Sequence, residues 1–194
     1  MKYKILLLNP ISNDETTVIR TGRCQTQVQP GIECWPPTDL ALIGTALKRI
    51  RDVSDIKIYD TQINKNYKNM LEQLDKEMPD IIVMNCTTPT CFEDVQLAKR
   101  IKCNNKDALI IFFGLHATAM PLEIMESLAV DCCVIGEPED IIYSVVKCYI
   151  NEGKKCFKNI NNLFYLSEDK GIIETTRNEC KSQVFLSQSP LSNK

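Results

Sequence analysis

The sequence has 194 residues, of which 44% are hydrophobic and 25% charged, with a net charge of −2 at pH 7. This length allows one domain with its own core plus a short extension, and the charge balance gives no reason to expect nucleic acid or an acidic membrane as a partner. The longest apolar runs are strand-sized, well below the about 20 residues of a membrane span, and without a signal-peptide pattern we expect a cytoplasmic protein.

Five short apolar runs predict five buried strands. Their apolar residues are continuous rather than alternating, which is typical of strands covered on both faces of a sheet. Each run ends at a polar residue or a glycine, where a loop is expected to begin. The runs are Ile5–Leu8, Ile56–Tyr59, Ile81–Met84, Leu109–Phe113 and Cys132–Ile135.

Helical patterns follow these strands. Thr38 is expected to cap the first helix, and Thr90 with Glu93 to form a capping box at the third. Pro121 and Pro138 suit the first turns of the fourth and fifth helices. The apolar stripes expected to face the core are Leu40, Ile43, Leu47 and Ile50; Tyr67, Met70, Leu71 and Leu74; Phe92, Val95 and Ile101; and Ile141, Ile142, Val145, Val146 and Tyr149.

The alternation of strands and helices predicts an α/β fold. We expect a Rossmann-like, flavodoxin-like sheet of five parallel strands in the order 2-1-3-4-5. Two further apolar segments, Asn162–Leu166 and Ile172–Glu174, predict a C-terminal β-hairpin extension with Gly171 in its turn. The expected domain comprises residues 1–152, and residues 153–194 form the hairpin linker and a polar tail.

Ligands of such sheets bind outside the carboxyl ends of the strands, so the loops there are the candidate sites. The connection after the first strand runs from Pro10 to Pro37, and a connection that long is usually functional. It contains Trp35, the only tryptophan. The indole ring could cover a planar ligand or plug the top of the sheet, and the residues alone favour neither role.

Three other loops carry polar or small residues. Thr87, Thr88 and Thr90 could bind a ligand or cap a helix. His116, the only histidine, is a poor basis for a metal site or a catalytic triad by itself, and we expect it to donate a hydrogen bond or to form a pocket wall. Glu137 and Glu139 suit a helix start and hydrogen bonds to ligand hydroxyls.

Ten cysteines occur at irregular spacings without a CxxC pair. Zinc and iron–sulfur sites usually show paired ligand spacing, so we expect reduced, mostly buried thiols and no metal ligands. Neither GxGxxG after the first strand nor a phosphate-binding P-loop is present. No residues form a recognisable nucleophile and base set, so no catalytic residue is predicted.

Several of these loops together resemble one family. They are Asn9–Pro10, Gly22–Thr26, Trp35–Ala41, Thr87–Thr90, Gly114–Pro121 and Gly136–Glu139. They are similar to the N-terminal cobalamin (B12)-binding domain of B12-dependent radical SAM proteins, the group that contains anaerobic Mg-protoporphyrin cyclase-like and methyltransferase-like enzymes. The resemblance covers about residues 3–150. It implies cobalamin across the carboxyl ends of the strands, held by Asn9, Pro10, Trp35, Thr87, Thr88, Pro89, Thr90, Gly114, Leu115, His116, Ala117, Gly136, Glu137 and Glu139.

Three departures from related patterns refine this expectation. The Asp-x-His-x-x-Gly motif of B12-dependent mutases is absent, so the resemblance implies cobalamin without a protein histidine ligand. Leu115 stands where the family commonly has a second glycine, and its larger side chain would narrow the groove for the nucleotide tail of cobalamin. The CxxxCxxC motif is absent, so neither a 4Fe–4S cluster nor a SAM site is expected in this chain. We expect a module truncated before its radical SAM domain, not catalytic alone, whose partner domain lies on the same or another chain.

Two alternatives stay open. The first is a degenerate α/β interaction or scaffold domain that binds no cofactor, which Leu115 and the missing radical SAM domain would explain. The second is a flavodoxin-like protein that binds FMN at the same strand ends, although no phosphate cradle follows the first strand.

Overall fold

The computed structural model describes residues 2–20, 35–63 and 65–177. In these residues a seven-stranded sheet has the order β2-β1-β3-β4-β5-β6-β7. The first five strands are parallel, and the last two continue the sheet in antiparallel fashion. The strands are β1 Tyr3–Asn9, β2 Val53–Asp60, β3 Ile81–Asn85, β4 Leu109–Phe113, β5 Cys132–Val134, β6 Leu163–Leu166 and β7 Ile172–Glu174.

Helices cover both faces of the sheet, which explains the continuous apolar runs of β1, β3, β4 and β5; the edge strand β2 was predicted to be buried but has no buried residue. Successive side chains of a strand point to opposite faces, and in β1 Ile5 and Leu7 join one buried cluster while Leu6 and Leu8 join the other. The predicted flavodoxin-like fold and strand order 2-1-3-4-5 are therefore confirmed. The helices are α1 Thr38–Leu47, α2 Tyr67–Glu77, α3 Cys91–Asn104, α4 Leu115–Ala119, α5 Pro121–Met125 and α6 Glu139–Glu152, with 3-10 turns at Thr88–Thr90 and Gly153–Asn159.

The predicted C-terminal hairpin is present, and it belongs to the main sheet. Cys133 of β5 pairs with Phe164 of β6, and Tyr165 of β6 pairs with Ile173 of β7. The division at residue 152 stays a prediction. The predicted polar tail falls largely within residues 178–194, and the Gly22–Thr26 motif within residues 21–34; both lie outside the described residues.

Some predicted helix starts are wrong in detail. Thr38 is the first residue of α1 rather than its cap, because Pro37 holds the cap position. Thr90 precedes α3 at the cap position, as predicted, but its side chain makes no cap hydrogen bond to this helix; the capping box joins Thr87 and Thr90 around the 3-10 turn. Because α3 begins at Cys91, which is buried, the adjacent Phe92 points outward and is 75% exposed, contrary to the prediction.

The cysteines largely match the expectation of buried thiols. Cys86, Cys91, Cys132 and Cys133 are free and buried, and Cys103 is free and exposed. Cys148 and Cys156 are the exception, since they are joined as a disulfide with their Cα atoms 6.0 Å apart.

No helix in the described part of the chain is long and apolar enough to cross a membrane.

Candidate functional site

A cleft of about 460 Å³ lies at the carboxyl ends of β3, β4 and β5, beside the starts of α1 and α6. Its volume is within the range of small-molecule sites in proteins. Five residues that the sequence assigned to the site line it, namely Gly114, Leu115, Gly136, Glu137 and Glu139. Eight further lining residues were not predicted: Arg20, Thr38, Asp39, Leu42, Asn85, Phe113, Thr118 and Pro138.

The floor of the cleft is held by a buried ion pair between Arg20 and Asp94. The two guanidinium nitrogens lie 2.6 and 2.9 Å from the two carboxylate oxygens, and both side chains are at most 3% exposed. The same guanidinium donates to the backbone oxygen of Asn85 at 2.8 Å and to Oγ1 of Thr90 at 3.0 Å. These contacts attach the connection after β1 to the end of β3 and the first turn of α3.

Asn85 links this floor to the wall of the cleft. Its Nδ2 donates to the backbone oxygen of Arg20 at 3.0 Å and to Oδ2 of Asp39 at 2.5 Å. A Cβ atom on Gly114 would lie 2.2 Å from Oδ1 of Asn85 and 2.9 Å from the backbone oxygen of Cys86. Gly114 also has φ 105°, a conformation that favours glycine. A glycine is therefore required where β4 turns into α4.

The loop after β4 shapes the adjoining wall. Leu115, the first residue of α4, is 46% exposed and lines the cleft, whereas Ala117 is fully buried and does not reach it. Thr118 accepts a hydrogen bond from the backbone N–H of Gly136 at 3.1 Å. This contact joins the loops after β4 and β5, so the two loops form one continuous edge of the cleft.

Four other predicted site residues support the strand ends instead of lining the cleft. Asn9 donates from Nδ2 to Asp60 at 3.0 Å, and the backbone oxygen of Pro10 accepts from Arg20. Thr87 and Thr90 are buried, with their hydroxyl oxygens 3.0 Å apart. Their polar atoms are engaged within the protein, so the geometry gives them a structural role.

Trp35, Thr88 and Pro89 lie outside the described lining of the cleft. Trp35 is 63% exposed at the edge of a small cavity that also touches Asn9 and Pro37. Thr88 and Pro89 are exposed on the 3-10 turn that precedes α3. Their side chains are therefore accessible at the same end of the sheet.

His116 is buried and does not line the cleft. Its ring is buried, with Nδ1 3.3 Å from Oγ1 of Thr88 and Nε2 3.5 Å from a carboxylate oxygen of Glu123. The sulfur of Cys91 belongs to the same group of side chains. A hydrogen bond between the Cys86 and Cys91 thiols lowers the pKa of Cys91 and raises the pKa of Cys86.

Some of the site residues that were not predicted occupy recognisable positions in the sequence, and others do not. Asn85 is the last residue of a predicted strand and Asp39 follows the Trp-Pro-Pro segment, so position could have marked both. Arg20 and Asp94 are 74 residues apart, and their pairing follows only from the packing of α3 beneath the first connection.

Comparison with known proteins shows which family has this arrangement. A model of the B12 binding domain matches residues 33–146. The chain is 29% identical over 120 residues to the anaerobic magnesium-protoporphyrin IX monomethyl ester cyclase of Cereibacter sphaeroides, covering 59% of this chain and 19% of that protein. It is 27% identical over 137 residues to an uncharacterized methyltransferase of Pyrococcus horikoshii, covering 70% of this chain and 29% of that protein.

Solved structures show the same fold. The radical S-adenosylmethionine methyltransferase TsrM of Kitasatospora setae, with cobalamin and a 4Fe–4S cluster bound, superposes with a TM-score of 0.67 at 20% identity, over 92% of this chain and 30% of that one. The cobalamin-dependent S-adenosylmethionine radical enzyme OxsB, with aqua-cobalamin bound, gives a TM-score of 0.64 at 14% identity, over 92% and 23%. The chain thus spans 19% to 30% of the length of these four proteins.

Proposed function

Because this chain belongs to the B12-binding domain family, we propose that its strand-end cleft binds cobalamin and that the chain is the cobalamin-binding module of a B12-dependent radical SAM protein. The observation that carries the proposal is the position of the cleft. It opens at the carboxyl ends of β3, β4 and β5, where open α/β sheets bind their ligands.

The lining of the cleft suits part of a cobalamin molecule. Leu42, Leu115 and Phe113 provide apolar surface, and Thr118, Glu137 and other residues of the rim provide hydroxyl and carboxylate groups. This mixture fits a ligand that combines an aromatic base, a ribose and amide side chains, as the nucleotide tail and the periphery of cobalamin do. Gly114 lets the backbone of the wall come close to such a ligand. Trp35, Thr88 and Pro89 are accessible at the same end of the sheet and would be available to contact the corrin ring.

We further propose that no histidine of this chain coordinates the cobalt ion. His116 is the only histidine in the sequence. Its side chain is 4% exposed, contacts Thr88 and Glu123, and does not line the cleft. Reaching a ligand there would require α4 to rearrange, which the packing of Ala117 in the core opposes.

A binding experiment tests the cleft. The purified chain is mixed with hydroxocobalamin and desalted, and we expect it to retain a shifted corrin absorption spectrum. Leu115→Trp should weaken binding about tenfold or more, because it adds bulk inside the cleft, a loss of about 1.4 kcal/mol. Leu122→Trp is the matched control, since Leu122 is similarly exposed (52%) but lies on α5 outside the lining.

The outcomes separate the proposal from its alternatives. A colourless protein after desalting would contradict the cobalamin site and favour a scaffold domain. A yellow chromophore that co-purifies with the chain would favour FMN instead. Equal loss of binding in both tryptophan variants would place the site elsewhere.

Spectroscopy of the same complex tests the histidine proposal. The electron paramagnetic resonance spectrum of bound cob(II)alamin should be identical for protein grown with ordinary and with 15N-labelled histidine. A change of the nitrogen splitting on labelling would show that His116 coordinates cobalt and would refute this part of the proposal.

We propose that the radical chemistry resides in a separate domain. CxxxCxxC, the motif that would hold the 4Fe–4S cluster, does not occur in these 194 residues. Reconstituted anaerobically with iron, sulfide and reductant, the chain should not cleave SAM to 5′-deoxyadenosine. Formation of that product by this chain alone would contradict the proposed division of labour.

A further inference from the structure

Three side chains from three consecutive helices converge beside the cleft. Cys91 is the first residue of α3, His116 the second of α4 and Glu123 the third of α5. Their sulfur, imidazole nitrogen and carboxylate oxygen atoms all lie within 4.8 Å of one another. Cys91 and His116 are buried, whereas the Glu123 side chain is 60% exposed, so the group is open to solvent on one side only.

The imidazole is oriented for metal binding. Nδ1 lies 3.3 Å from Oγ1 of Thr88. When Nδ1 donates its proton to that hydroxyl, Nε2 presents a lone pair toward the carboxylate and the thiol. Among the described residues Nε2 has no hydrogen-bond partner although it is buried. An unsatisfied buried polar atom is destabilising, and a bound cation would give this nitrogen a partner.

We propose that Cys91, His116 and Glu123 bind a zinc ion. A thiolate, an imidazole and a carboxylate together are typical zinc ligands, with bonds of about 2.3, 2.0 and 2.0 Å. In a tetrahedral site the ligand atoms are then about 3.3–3.6 Å apart. The 3.5 Å between His116 Nε2 and the Glu123 oxygen already has this separation. The exposed Glu123 side chain can adjust to complete the site.

The fourth position has two possible ligands. Solvent reaches the group past Glu123, and a water molecule there would give an open site with three protein ligands. The Cys86 thiol, which hydrogen-bonds to Cys91, is the alternative and would give a closed site. Counting the sulfur ligands of the bound ion distinguishes the two.

This site explains why the sequence showed no zinc motif. The three proposed ligands Cys91, His116 and Glu123 come from three separate elements, so no two of them have the short CxxC-like spacing on which recognition depends. Thr88 would act behind the metal by holding the imidazole ring, as the outer partners of zinc-bound histidines do. A bound ion would connect α3, α4 and α5 and brace Leu115, the neighbour of His116 that lines the cleft.

Zinc titration of the tag-free, chelator-treated chain tests the proposal without cobalamin. With Zn²⁺ alone as the probe and a chromophoric chelator as competitor, we expect one tight site per chain. Glu123→Gln should weaken binding about 10- to 100-fold, because it replaces an anionic ligand with a neutral amide. Glu126→Gln, an exposed carboxylate near the end of the same helix, is the matched control and should bind like the wild type.

Cobalt substitution identifies the sulfur ligand. Bound to Co²⁺, the wild-type chain should show a thiolate-to-metal charge-transfer band that Cys91→Ser loses and that Cys103→Ser, at an exposed cysteine, retains. The band is proportional to the number of thiolates, so it also decides whether Cys86 is the fourth ligand. Circular dichroism of each metal-free variant shows whether the fold is intact.

The single histidine provides a third, independent measurement. In 15N-labelled protein, zinc should shift the Nε2 signal of His116 while Nδ1 keeps its proton. Absence of zinc binding, unchanged His116 signals in zinc, or wild-type affinity in Glu123→Gln would each overturn the proposal. Because Glu123 is exposed, its variant is expected to fold, so this result can be interpreted even if Cys91→Ser is unstable.

Discussion

Gly114→Ala is expected to lower the free energy of unfolding by about 2–6 kcal/mol. The backbone there has φ 105° and ψ −170°, a region that costs a non-glycine residue about 1–3 kcal/mol. The new methyl group would also displace the Asn85 amide, whose oxygen would lie 2.2 Å from it. That displacement breaks the hydrogen bonds of Asn85 to Arg20 and Asp39, a further loss of about 1–3 kcal/mol.

Gly153→Ala separates the two contributions. Gly153 has φ 70° and ψ −160°, but a Cβ atom there would meet nothing within 4 Å. It should therefore cost only the backbone strain of about 1–3 kcal/mol. Urea unfolding followed by circular dichroism gives both values, and unchanged m-values would show that the unfolded states are comparable. If Gly114→Ala costs no more than Gly153→Ala, the proposed clash with Asn85 is wrong.

Two further predictions concern charged pairs. Asp94→Ala leaves the Arg20 guanidinium buried without its partner, so it should lower the free energy of unfolding, measured by urea denaturation, by about 3–5 kcal/mol. The double variant Arg20→Met/Asp94→Leu removes both charges and should lose less stability. An equal loss in the two variants would refute this account. Hydrogen bonds from Arg100 hold the pKa of Asp75 at about 2, below its ordinary 3.8, so the pair should stabilise the fold above about pH 4 and lose this effect as the pH falls toward 2. Because Asp75 is 40% exposed, this stabilisation should stay below about 1 kcal/mol. The difference in unfolding free energy between the wild type and Asp75→Asn, measured as a function of pH, should disappear only between about pH 4 and pH 2.

The sequence predicted the layers of the fold because they depend on local patterns. The five runs correspond to β1–β5, and those of β1, β3, β4 and β5 are continuous and buried between the two faces of the sheet. The run of β2 is interrupted by Lys57, and this edge strand has no buried residue. The short helix α4 was missed because five residues carry no periodic stripe. Phe92 was assigned inward because the predicted apolar stripe ran through Phe92, whereas the buried face of α3 runs through Cys91, Val95 and Ala98.

The site was only partly predictable for a different reason. Glycines and carboxylates in the loops after β4 and β5 lie where the topology brings loops together, and those that were predicted line the cleft. Thr87 and Thr90 have the residue type expected at a ligand site, but their hydroxyl groups are engaged in their own turn. Arg20 has no local signal, since its burial depends on a carboxylate 74 residues away.

The Arg20–Asp94 floor makes the cleft depend on the connection that follows the first strand. Arg20 precedes residue 33, where the match to the family model begins, yet it lines the cleft and anchors the end of β3. The cleft is thus assembled from segments far apart in the sequence, and a ligand that binds it but not the unfolded chain stabilises the folded state. A ligand at one hundred times its Kd would add about 2.7 kcal/mol to the free energy of unfolding. For a chain of this length that is a rise in Tm of about 5–11 °C, so the melting temperature itself would report occupancy.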